Sequence, residues 1–258
     1  MVKLKNYNVV LKSFVLFLTF ILAVSCGEQK WAVNRIEGKE IGISEKNGTD
    51  ANIENFIKPY REKVEKDMGT VLAYAPETLD KNGQWQTTMG NMFADVALQY
   101  GNKVFEKREG KKIDIVMLNH GGIRTIIPKG DVTTRTAFEI MPFENSMVVS
   151  AMKKEQILEM ITYIIAEKKP HPLAGLTFMI GKDNLPKNIM VQGKPLEDKI
   201  YYVGTNDYLY NGGDSMLFFK KGIELYRLDY KLRDILIDYF KDVDTIPLTT
   251  DVRISVEK

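Results

Sequence analysis

Segments of helical and of strand periodicity intermix along residues 50–258 without a repeating strand–helix–strand rhythm. That order constrains the fold more than any other feature. It predicts an α+β fold, a single domain with a mixed β-sheet and flanking helices, rather than a doubly wound parallel sheet. Asp50 is a plausible N-cap, and Ile53, Phe56, Ile57, Tyr60 and Val64 follow at helical spacing. Pro59 sits inside that pattern, so a kink or an early stop is expected there. Thr70 to Ala75 reads as a strand. Thr87 or Thr88 caps a helix whose inner face is Met89, Met92, Phe93, Val96 and Tyr100. Ile113 to Leu118 is a continuous apolar run and reads as a central strand. Ser146 to Met152 is a further strand. Glu155 to Lys168 is a helix ended by Pro170 and Pro172. Strands are expected at 176–180, 188–191 and 200–205, a helix over 225–240 and a closing strand over 252–256.

The first 25 residues carry Lys3, Lys5 and Lys12 and no acid, ahead of an apolar run from Phe14 to Val24. The run is too short to cross a bilayer and suits the core of a signal peptide. It ends in Leu22-Ala23-Val24-Ser25-Cys26, small residues before the single Cys of the chain. This resembles a bacterial lipobox, which implies cleavage before Cys26 and lipidation of its sulfur. An ordinary signal peptide or a short membrane anchor are the alternatives. Residues 26–49 then form a tether, and the folded domain covers 50–258. The expected location is the bacterial cell envelope, exported and lipid-anchored, facing the periplasm or the surface.

Charge removes other classes of function. The chain has 36 Lys and Arg against 34 Asp and Glu, and without the first 25 residues the balance is 33 against 34. A near-neutral chain has no global attraction for nucleic acid or for an anionic membrane, so the membrane contact expected is the lipid alone. One Cys rules out an intrachain disulfide, a zinc ribbon and a CxxC redox site. Two His leave little for a two-metal phosphoesterase centre. The dinucleotide, P-loop and nucleophile-elbow motifs are all absent. His171, between two prolines, is expected on a solvated loop. The run Lys107 to Lys112 reads as a solvated connection.

Three loops offer ligand chemistry. Asn119-His120-Gly121-Gly122-Ile123-Arg124 follows the buried strand. Its glycines let backbone N–H groups approach an anion, and Arg124 presents a planar fork for carboxylate or phosphate. Asn119 both donates and accepts, as a base edge or amide requires. A tight turn with a surface Arg is the plain alternative. In Met141-Pro142-Phe143-Glu144-Asn145, Phe143 is either core or a stacking plate. In Asn206 to Asp214, Tyr208 precedes a Gly-Gly turn ending in Asp214, a pure acceptor suited to a diol.

As a set, these residues resemble a known family. Asn119-x-Gly-Gly-Ile-Arg124, Gly130-Asp131-Val132-Thr133, Ala137 to Asn145 and Asn211-Gly212-Gly213-Asp214 are similar in order and spacing to the C-terminal domain of 5′-nucleotidases. Gly90-Asn91-x-x-Ala94-Asp95 looks like that domain's early helix. The resemblance covers roughly residues 50–250 and implies a substrate-specificity domain. Phe143 and Tyr208 would stack on either side of a nucleobase, with Asn119 at the base edge, Arg124 toward phosphate and Asp214 on ribose hydroxyls, and Gly121 and Gly122 would belong to the same substrate-binding set. Tyr208 stands where the family usually has Phe. His120 replaces a small residue. Gln84-Trp85-Gln86 replaces a stretch that often carries Arg and Glu, so one phosphate-side cation is missing.

The family's metallophosphoesterase signatures, D-x-H, G-D-x-x-D, N-H-E and G-H-x-H, do not occur. No catalytic residue is therefore expected in this chain, and divalent metals are expected only in a partner catalytic chain. The resemblance implies the nucleotide- or nucleoside-binding component of an exported 5′-nucleotidase system, working with a separate metallophosphoesterase. A lipid-anchored interaction module that kept the fold and lost ligand binding is the alternative.

Overall fold

The computed structural model describes residues 7–24, 32–44 and 47–258, in two compact units, Met1–Ile53 and Glu54–Lys258. In the first unit the expected apolar run lies on helix α1 (Tyr7–Val24). None of the described helices is long and apolar enough to cross a membrane. Cys26 lies outside the described residues, and the lipobox expectation with it.

Helix α2 (Ala51–Met68) begins as expected, with Asp50 accepting from the N–H groups of Asn52 and Ile53. It does not stop at Pro59 but continues to Met68. The apolar residues at helical spacing are not covered: Phe56, Tyr60 and Val64 are exposed, and Phe56 and Tyr60 pack on each other with ring centroids 5.9 Å apart.

Strand β1 (Val71–Ala75) pairs antiparallel with β3 (Gly130–Thr133). Between them come α3 (Thr88–Glu109) and β2 (Ile115–Met117). Thr87 caps α3, its hydroxyl accepting from the Gly90 N–H, and every expected inner-face residue of that helix is buried. After β3 follow α4 (Thr134–Ile140), β4 (Ser146–Met152) and α5 (Lys154–Glu167). The next strands are β5 (Leu173–Ala174), β6 (Leu176–Ile180), β7 (Pro186–Val191), β8 (Lys194–Pro195) and β9 (Tyr201–Asn206). The chain then runs through α6 (Asp207–Tyr210), β10 (Glu224–Lys231), α7 (Leu232–Asp242) and β11 (Ile254–Val256).

The central sheet has the order β10-β4-β9-β2-β5 and is mixed. Its β2 pairs parallel with β9, while β4 is antiparallel to both β9 and β10. A smaller sheet has the order β11-β6-β7-β8, with β11 parallel to β6. Alternation along the strands divides the core. Val116 of β2 and Met147 and Val149 of β4 join the α3 and α7 side chains on one face. Ile115, Met117 and Val203 join Ile157, Ile161 and Ile164 of α5 on the other. Burial on both faces explains why β2 is a continuous apolar run.

The helix expected over 225–240 is a correction. Its first half is strand β10, and only Leu232–Asp242 is helical. Leu225, Leu228 and Leu232 fit a helical period, but Tyr226 and Leu228 are the buried positions of β10, at strand spacing. Pairing with β4 from Glu224 to Arg227 wins over the helical pattern. His171 is a second correction: it is buried rather than solvated.

Candidate functional site

Strand direction brings the three loops together. Ile115 lies opposite Val203 and Val116 opposite Gly204, so the turns that follow β2 and β9 leave the same end of the sheet. Met147 lies opposite Asn206, so the segment entering β4 arrives at that end too. Between the loops is a cavity of about 360 Å³ lined by Asn119, Gly121, Gly122, Arg124, Phe143, Asn145, Tyr208 and Asp214. All seven pocket residues expected from the sequence line it, and Asn145 joins them.

The first loop is a single 3₁₀ turn, His120–Gly122, after an extended Asn119. Asn119 is buried, and its Nδ2 donates to Oδ2 of Asp214 at 2.7 Å. A Cβ on Gly122 would sit 2.6 Å from Asn119 Oδ1, so glycine there is what leaves room for the amide. The Arg124 N–H donates to the Ile140 carbonyl at 2.9 Å, tying this loop to the end of α4. Its Nη1 donates to the Gly121 carbonyl at 3.3 Å, and the guanidinium carbon lies 6.0 Å from the Phe143 ring centroid.

Phe143 is 41% exposed, which settles the choice between core and surface plate in favour of the surface. Its neighbours hold the loop in place. Glu144 pairs with Lys231 and Arg233, and their hydrogen bonds hold its carboxyl down at about 2. Arg233 is buried, with its guanidinium carbon 4.2 Å from the Phe138 ring centroid. The Leu232 N–H donates to the Asn145 carbonyl at 3.0 Å.

Asn206 caps α6 by accepting from the Leu209 N–H at 2.8 Å, and Asp207 Oδ1 accepts from the Ser146 N–H at 3.2 Å. The loops carrying the two rings are thus joined. Tyr208 is 47% exposed, and its hydroxyl donates to Oδ1 of Asp214 at 2.9 Å. That bond pushes the phenol above its ordinary value. The ring rests on Gly213, where a Cβ would fall 2.4 Å from it. The Tyr163 hydroxyl donates to the Asp214 carbonyl at 2.7 Å and supports the turn from behind.

Two functional candidates escaped the sequence. Half-buried Lys81 donates from Nζ to the Ile123 carbonyl at 2.5 Å. Burial, then the nearby Arg124 charge, lowers its pKa. It puts a second cation beside Arg124. Gln86, from the stretch where a cation was missed, is spent elsewhere: its Oε1 accepts from the N–H groups of Arg253 and Ile254. The other is His171, whose Nδ1 accepts from the His120 N–H at 3.3 Å while Nε2 has no partner. Burial lowers its pKa to about 4. No local sequence signal marks either residue, because both act on the turn from at least 40 residues away. Among the described residues no group of three or more His, Cys, Asp or Glu is placed to hold a metal ion.

The model of the family described as 5′-nucleotidase, C-terminal domain, matches residues 67–221, which include every residue lining the cavity. A trifunctional nucleotide phosphoesterase protein of Bacillus subtilis is 28% identical over 57% of this chain and 11% of its own length. A 5′-nucleotidase of Vibrio cholerae is 24% identical over 64% of this chain and 30% of its own. The structure of a 5′-nucleotidase precursor from Thermus thermophilus aligns with a TM-score of 0.67 and 23% identity, over 79% of this chain and 42% of that one. The chain thus spans between about a tenth and a third of these two curated relatives. With the family model covering more than half of its residues and the whole of the cavity, the chain belongs to the family of the 5′-nucleotidase C-terminal domain.

Proposed function

We propose that this chain binds a nucleoside or nucleotide in the cavity between its three loops and serves as the substrate-binding part of a nucleotide-hydrolysing system. One observation carries the reading: two exposed rings, a carboxylate and an arginine, drawn from three distant segments, line a single cavity. Phe143 and Tyr208 supply stacking surface, worth about 1–3 kcal/mol per base in comparable sites. Asp214 accepts sugar hydroxyls, and Arg124 faces the anionic end. Hydrolysis then falls to a separate metallophosphoesterase chain that carries the divalent metals. Export and lipidation at Cys26 complete the picture. One of its relatives, 29% identical over 61% of this chain, is a Listeria monocytogenes cell wall protein.

Titration calorimetry with AMP, adenosine and UMP tests the reading. The wild type is expected to bind at least one of them, and a Phe143→Ala/Tyr208→Ala double variant is expected to lose binding while staying folded. No heat from any ligand with the wild type overturns it. A second reading, an interaction module without a small ligand, is favoured by one fact: both carboxylate oxygens of Asp214 already accept from the protein's own donors. Recovery of a non-phosphatase partner whose affinity ignores nucleotides would support that reading.

A further inference from the structure

Among the described residues Asp214 is the only carboxylate lining the cavity. Its Oδ2 accepts from Asn119 and its Oδ1 from the Tyr208 hydroxyl. The two donors differ in kind. Asn119 is buried and fixed by the turn below it, whereas Tyr208 is half open to solvent and reaches Asp214 from within the cavity lining. The Tyr208 ring is held independently of its hydroxyl, because it lies on Gly213. The hydroxyl is thus the one partner of Asp214 that a ligand can replace without moving the stacking surface.

We propose that the Tyr208 hydroxyl is a specificity-determining group that competes with a sugar hydroxyl for Oδ1 of Asp214, and so weakens the preference of this chain for ribose over deoxyribose. This rests on the nucleoside-binding reading above. A cis-diol gains most from a carboxylate when both oxygens accept from it. Each oxygen of Asp214 already accepts one bond, Oδ2 from buried Asn119 and Oδ1 from the half-open Tyr208, so a ribose hydroxyl that reaches Oδ1 must share that oxygen with the Tyr208 hydroxyl or displace it. A 2′-deoxynucleoside asks less of the carboxylate and leaves the Tyr208 bond in place. Removing the hydroxyl frees Oδ1 and keeps the ring.

The test is a comparison of adenosine and 2′-deoxyadenosine affinities in the wild type, Tyr208→Phe, Asp214→Asn and the double variant. The wild type is expected to favour adenosine by no more than about threefold. Tyr208→Phe is expected to bind adenosine roughly five- to tenfold more tightly, the yield of one freed hydrogen bond, with 2′-deoxyadenosine unchanged. In the Asp214→Asn background the same substitution is expected to change neither affinity, because the coupling runs through the carboxylate. Equal weakening of both ligands by Tyr208→Phe, or no change in either, overturns the proposal while leaving nucleoside binding standing. If the wild type binds neither nucleoside and no nucleotide, the underlying reading falls as well.

Discussion

Lys81 and Arg124 donate to main-chain carbonyls two residues apart, Ile123 and Gly121, and so stand together on one turn although 43 positions separate them in the chain. Among the described residues neither forms a salt bridge. Two cations held on one turn, of which Arg124 lines the cavity, favour an anion beside Arg124. Lys81→Gln is expected to weaken AMP binding about tenfold, the size of one charge-assisted contact, and to leave adenosine within about twofold. Lys81→Arg should restore most of the loss. Calorimetry with the two ligands checks this, and equal losses for both would remove Lys81 from anion recognition.

The buried His171 predicts a dependence of stability on acidity. Its pKa is about 4 in the fold, below the ordinary 6.5, so between these values the unfolded chain binds more protons than the folded one. Stability then rises with pH across that window. It is fully present above about 6.5 and is lost as pH falls through about 4, by roughly 3 kcal/mol. His171→Asn keeps an acceptor for the His120 N–H and removes the titration. Urea unfolding at pH 4.5 and 7.5 should show a smaller difference between the two pH values in the variant than in the wild type.

Arg253 reaches four partners from a buried position: the carboxylates of Asp95 and Asp251 and the carbonyls of Asn91 and Leu173. These join the C-terminal strand to α3 and β5. Arg253→Met takes a donor from the Asn91 and Leu173 carbonyls and from two partly exposed carboxylates, and is expected to cost about 2 kcal/mol. The urea midpoint reads this directly. A lysine at the same position cannot fork and should recover less than half of the loss.

Arg233 predicts the opposite balance. Its partner Glu144 is exposed, so Arg233→Met leaves no buried charge behind, and a stability loss of only about 1 kcal/mol is expected. The loop that carries Phe143 loses its strongest tie, however, and nucleoside affinity should fall about fivefold, well within the worth of one stacked base. A melt and a titration on the same sample separate the two effects.

Much of the fold was legible because local pattern and tertiary demand agree. The Thr87 cap, the inner face of α3, β4 and the run at β2 all lie where propensity and periodicity put them. Disagreement came where two periods fit the same leucines, as at Leu225 and Leu228, and pairing with β4 decided between them. The apolar residues of α2 mark a limit of the same signal: periodicity reports that a helix is amphipathic, not that something covers it. The pocket residues were visible as motifs, but not that Asn119 and Tyr208 both turn to Asp214. Lys81 and His171 were invisible, since each reaches the turn through a main-chain atom, which no residue type advertises.

The parallel pairing of β2 with β9 has a consequence for how the cavity meets a visitor. Both of the turns that bear Asn119 and Asp214 are rooted on neighbouring rungs of one ladder, in the most deeply covered part of the sheet. The floor is therefore stiff and shared, and adaptation is left to the side chains at the tips. Amide exchange should be slowest at Met117 and Thr205 and quicken toward Tyr208, so that the mouth yields while its foundations hold still.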